Sequence, residues 1–134
     1  MSIQVDVAAL GAQMVHYSFC YLLTAGDDGR PHAVAVQPLL ADGVLTAEAG
    51  RRTCANAAER PAVSLVFPPT SIEGYSLIVD GDATAEESVV RIVPVRAVLH
   101  RPAPAPERSG ADAPGRAAVA AAGSCGSDCV ELSG

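Results

Sequence analysis

Two Asp-Gly pairs, Asp28-Gly29 and Asp42-Gly43, bracket an alternating run from His32 to Leu40, and they limit the fold of this chain tightly. Glycine accepts the positive φ that tight hairpins demand, so each pair predicts a reversal between antiparallel strands. Between the pairs, Ala33, Ala35 and Gln37 share one face while Val34, Val36 and Pro38 share the other, the period of a strand. Val44 to Glu48 reads as the next strand. It runs into Gly50-Arg51-Arg52-Thr53, where an Ala-rich segment to Arg60 predicts a short helix stopped by Pro61. Ala62 to Phe67 then returns as a strand.

The flanking segments extend the pattern. Ile3, Val7, Leu10 and Met14 stand at helical spacing and predict a short N-terminal helix, with Gly11 as its weak point. His16 to Thr24 is rich in aromatic and apolar residues and reads as a strand. Tyr75 to Ala85 gives a longer one, with Gly81 as a bulge or close approach, and Val89 to Leu99 gives the last, with Pro94 at an edge or bulge. The expected fold is mainly β: a six-stranded antiparallel barrel with two short helices, because short Gly/Pro turns do not suit a doubly wound parallel sheet. From Pro102 onward a Pro/Ala/Gly/Ser tract cannot bury enough apolar surface to offset its ordering entropy. Residues 1–101 are therefore expected to form the domain. Residues 102–134 are expected to form a flexible C-terminal extension, with Cys125 to Leu132 able to dock back.

Composition narrows the functional classes. A chain of 134 residues suits one domain, and its apolar half is mostly Ala, Val and Leu without Trp. A core of such small side chains leaves a marginal monomer and favours an oligomer. A net charge of −6 argues against general nucleic-acid binding, which needs a broad cationic face. The first residues lack the basic flank and apolar stretch of a secretion signal, and no run approaches membrane-spanning length, so the expectation is a soluble, cytoplasmic protein. Cys20 and Cys54 read as buried packing residues. Cys125 and Cys129, with Asp128, have poor spacing for zinc and suit a reversible disulfide better.

The strongest site signal is Gly50-Arg51-Arg52-Thr53 with Asn56 one turn on. A helix N-terminus presents unpaired N–H groups and a partial positive charge, Arg adds bidentate donors, and the Thr hydroxyl and Asn amide complete a phosphate shell. The alternative is a surface helix with solvated arginines. His16, His32 and His100 are scattered without metal-ligand spacing and read as structural or solvated.

In order and spacing, Asp28-Gly29-Arg30-Pro31-His32, Asp42-Gly43, Gly50-Arg51-Arg52-Thr53, Asn56 and Pro61-Ala62-Val63 resemble the flavin-binding split β-barrel family related to pyridoxamine 5′-phosphate oxidase. Tyr75 to Ala85 resembles a later strand of that family, and the likeness covers roughly Val15 to Arg101. It implies a homodimer with two flavin sites at the subunit interface and Arg52 as a phosphate ligand. Thr53 stands where Lys is common, with Arg51 as compensation. The cofactor is then FMN, or a deazaflavin whose phosphate lies mid-chain, with haem a weaker alternative. The strand from Ala33 to Pro38, including Val36, would lie along the isoalloxazine ring. Gln37 would make a polar contact, Ala33 and Ala35 would permit close approach, and Tyr75 would reach the partner's flavin. The resemblance implies a flavin-dependent oxidoreductase acting on a small organic substrate; a non-catalytic flavin or haem carrier is the alternative. True pyridoxamine 5′-phosphate oxidase activity is not expected, because the tail does not resemble that enzyme's C-terminal segment.

Overall fold

A computed structural model describes residues 1–103 of the chain. The flexible-extension assignment and the Cys125–Cys129 pair lie outside the described residues. The elements follow in order as β1 (Ser2–Val5), a 3₁₀ turn (Val7–Ala9), α1 (Leu10–Met14), β2 (Cys20–Ala25), β3 (Pro31–Val36), β4 (Leu39–Ala41) and β5 (Val44–Glu48). Then come α2 (Arg51–Glu59), β6 (Ala62–Phe67), β7 (Ser76–Glu86) and β8 (Val89–His100). All strand pairings are antiparallel. The order is β3-β2-β6-β7-β8-β5-β4, with β1 paired to β8. This is an antiparallel split barrel with two short helices.

Both Asp-Gly turns form as expected, with φ of 82° at Gly29, and 51° and 75° at Asp42 and Gly43. The alternation along β3 also holds: Val36 is buried and Val34 packs on the core, while Ala33, Ala35 and Gln37 face outward. One interior gathers the inward rows, including Cys20, Leu22, Leu45, Leu65, Leu77, Val79, Val90 and Ile92. Each fully buried Leu or Ile there contributes about 1.5–3 kcal/mol. α2 closes one side by burying Cys54 and Ala57.

Two expectations need correction. The helix predicted over Ile3 to Met14 is a strand and then a short helix. Ser2–Val5 pairs with Ala97–His100 of β8, and only Leu10–Met14 is α-helical. Asp6 separates the two by capping the 3₁₀ turn, its carboxylate accepting from the Ala8 N–H at 3.0 Å. The single strand predicted over His32 to Leu40 is two. Pro38 has no N–H for a ladder, and beyond it Leu39–Ala41 pairs with β5. Among the described residues the sheet thus has eight strands where six were expected. Gly81 and Pro94 do oppose each other at a register shift between β7 and β8, as the bulge reading required.

Candidate functional site

Two concavities flank β3, which among the described residues pairs only with β2 and has no partner strand on its other edge. The first is a cleft of about 960 Å³ between the β2–β3 hairpin and α2. On the helix side Arg51, Arg52, Asn56, Glu59 and Arg60 line it, and Asp27, Asp28, Arg30 and His32 face them from the hairpin, so its four arginines share the cleft with three carboxylates. Gly50 caps α2 with φ −71° and ψ 172°, has no side chain to bond the first amides, and is followed by no acidic residue in the first turn. The Cys54 N–H donates to the Gly50 carbonyl at 3.0 Å, so the helical bonding starts there. The N–H groups of Arg51, Arg52 and Thr53 precede that bond and keep the partial positive charge of an uncapped helix end.

The four arginines differ in commitment. Arg60 donates through Nε to the Ala25 carbonyl at 2.7 Å. Arg30 lies 3.6 Å from Asp28 in an exposed pair that contributes little. Among the described residues, neither Arg51 nor Arg52 is in an ion pair, and both are exposed. The other two residues expected beside them face inward. Thr53 is buried and does not line the cleft, whereas Asn56 lines it but donates its amide to the Thr24 hydroxyl at 3.1 Å.

The second concavity is a groove of about 840 Å³, lined by Ala35, Val36 and Gln37 of the β3 end and by Thr46, Ala47 and Glu48 of β5. Phe19, Leu39 and Val89 add apolar wall. The Gln37 amide donates to the Ser18 carbonyl at 3.4 Å, a long bond that leaves the side chain adaptable. His32 in the cleft and Ala35 in the groove are about 10 Å apart along the same strand. Thr46 and Glu48 were missed in the sequence, although the end of a strand running into the arginine-bearing helix was the signal for them. Arg60 was missed as a lining residue because the following proline marked it only as a helix stop.

Tyr75 lies in neither concavity. The Arg101 guanidinium stands 4.6 Å over its ring, its hydroxyl points at the Met1 sulfur at 3.5 Å, and its carbonyl accepts from the Tyr17 hydroxyl at 2.7 Å. Burial pushes the Tyr17 phenol up from its ordinary value and the Cys20 thiol up to about 12. His100 pairs through Nδ1 with the Ser2 hydroxyl at 3.1 Å, and His16 is exposed. Among the described residues, no group of three or more His, Cys, Asp or Glu could hold a metal, and no helix is long and apolar enough to cross a membrane.

No family model matches the chain. Two uncharacterized proteins, from Mycobacterium bovis and Mycobacterium tuberculosis, are each 41% identical over 147 residues, covering 97% of this chain and 96% of the relative. Among solved structures, a pyridoxamine 5′-phosphate oxidase candidate from Listeria innocua superposes with a TM-score of 0.61 at 18% identity, covering 72% of this chain and 98% of that one. An FAD-binding protein from Mycobacterium smegmatis gives 0.58 at 14% identity, covering 75% and 100%. An F420 reductase gives 0.50 at 17% identity, covering 63% and 90%. At these identities the structural likeness establishes the fold.

Proposed function

The chain belongs, with the mycobacterial proteins, to a family whose fold is the pyridoxamine 5′-phosphate oxidase-type split β-barrel, and from that premise we propose that it is a small flavin-dependent oxidoreductase. The observation that carries this reading is the course of β3, an open-edged strand that runs from the arginine cleft to the groove beside β5. The donor set fits a phosphate: two exposed arginines outside any ion pair and the free amides of an uncapped helix. The strand fits a planar ring. Its outward side chains, Ala33 and Ala35, are small, and its unpaired backbone groups can bond a polar ring edge.

In this reading Arg51 and Arg52 hold the phosphate, and the Ala35–Gln37 segment positions the ring. Thr53 contributes its backbone N–H instead of its side chain. A bound flavin supplies the hydride and electron transfer, so the chain needs no acid–base residue of its own for that step. FMN and a deazaflavin of the F420 kind differ in where the phosphate lies, and the arginine cleft suits FMN first. Titration of the purified protein with FMN, a deazaflavin and haem tests the assignment. Stopped-flow reduction by NADPH or reduced deazaflavin then distinguishes an enzyme from a carrier.

The same reading makes the chain a homodimer. Tyr21, Val66 and Ile78 form one outward row across β2, β6 and β7, and Phe19 packs edge-on against Tyr21 at 5.3 Å. Tyr21 is 42% exposed, so a second copy would cover apolar surface there.

A further inference from the structure

The two concavities beside β3 differ in charge, and that difference sorts what each can hold. Four arginines and three carboxylates line the cleft and leave it net positive, whereas among the described residues Glu48 is the only side chain of the groove's lining that is charged at neutral pH. Glu48 is exposed at the end of β5, and it stands in one cross-strand row with Val89 and Glu86. Glu87 follows in the β7–β8 turn, with φ of 56°. The nearest cation in register is Arg91, opposite Thr46, and it lies outside the groove's lining. Its row is flanked by the Glu86–Glu48 row on one side and by Asp82 on the other, so acidic neighbours surround it. The remaining groove surface is apolar or neutral: Phe19, Val36, Leu39 and Val89, with Gln37 and Thr46 as hydrogen-bonding groups.

We propose that the groove is the organic-substrate subsite of the flavin site, that it admits flat molecules which are neutral or positively charged, and that Glu48 sets this preference. The inference rests on the cofactor reading above, which puts the ring along β3 and so makes the groove the space beside it. An anionic substrate would have to enter without a cation among the lining residues and against the Glu48 carboxylate. A neutral or cationic one meets apolar walls, the adaptable Gln37 amide and a carboxylate at one end. The family fold therefore does not bring a phosphorylated substrate with it. Phosphate chemistry is confined to the cofactor's own cleft.

The test uses three aromatic probes of one shape and different charge: benzamidine, benzamide and benzoate. Each is titrated into flavin-loaded protein by calorimetry, and the flavin absorbance band is followed in parallel. The expected order is benzamidine, then benzamide, then benzoate, with roughly tenfold between the charged extremes for an exposed carboxylate. Glu48→Gln should collapse benzamidine to the affinity of benzamide, and Glu48→Arg should reverse the order. Benzoate binding as tightly as benzamidine, or an order unchanged in Glu48→Arg, overturns the proposal while the cofactor reading stands. Protein that takes up no flavin overturns both together.

Discussion

The Asn56 amide donates to the Thr24 hydroxyl at 3.1 Å inside the barrel, tying α2 to β2 through two polar groups that are both almost fully buried. Removing one partner leaves the other unsatisfied, at a cost of about 1–3 kcal/mol. Asn56→Ala should therefore lower Tm by about 5–15 °C for a domain of this size. Because the amide is committed inward, flavin affinity of the folded variant should change far less than in an Arg52 variant. Calorimetry beside flavin titration checks both parts, and an unchanged Tm would refute the structural role.

Gly81 is fixed by crowding. A Cβ at this position would lie 2.5 Å from the Ile92 side chain and 2.7 Å from the Val93 carbonyl oxygen, opposite Pro94 at the bulge. Gly81→Ala forces β7 and β8 apart and should cost about 1–3 kcal/mol, read as a lower denaturation midpoint. Gly50→Ala, where nothing lies within 4 Å of the added carbon, should cost only the smaller loss that an alanine brings at a helix N-cap.

Cys20 is expected to make the folded chain sensitive to alkali. Burial raises its thiol from 9.0 to about 12 in the folded chain, so the folded state favours the neutral form. The resulting stability is fully present below pH 9 and is lost progressively as pH rises from there toward 12, since only the unfolded chain ionises readily. Tyr17, also raised by burial, adds loss of the same sign above 10. Denaturant midpoints measured between pH 8 and 11 should fall with pH, and Cys20→Ala should flatten that fall.

The outer row of Tyr21, Val66 and Ile78 is expected to be the subunit contact. A carboxylate placed in it would have to be desolvated without a partner. Tyr21→Asp should shift sedimentation equilibrium from dimer toward monomer by at least tenfold in dissociation constant. Wild-type protein that sediments as a monomer at all concentrations would contradict the dimer.

Local chemistry was legible in the sequence, and pairing between distant segments was not. The Asp-Gly turns, the β3 alternation, the Pro61 stop after α2 and the Gly81–Pro94 bulge could each be read within a few residues, because φ preference and a missing N–H act locally. β1 was misread as helix because Ile3, Val7, Leu10 and Met14 fit that period by chance. What makes Ser2–Val5 a strand is its pairing with Ala97–His100, at the far end of the domain. The placement of the candidate site residues was half legible for the same reason. Arg51 and Arg52 follow from the helix start, but the inward turn of Thr53 and Asn56 depends on which face of α2 meets Thr24. That face is set by the assembled barrel.

In the proposed site Arg51 and Arg52, at the start of α2, hold the phosphate of a flavin. FMN titrated into the purified protein, followed by quenching of flavin fluorescence, tests it most directly. Wild type should bind stoichiometrically at micromolar concentration or below. Arg52→Ala should weaken binding by about 10- to 100-fold, the loss of one charge-assisted hydrogen-bonding group, and should leave Tm unchanged. Equal affinity of Arg52→Ala and wild type, or no FMN binding by wild type at all, would contradict the account.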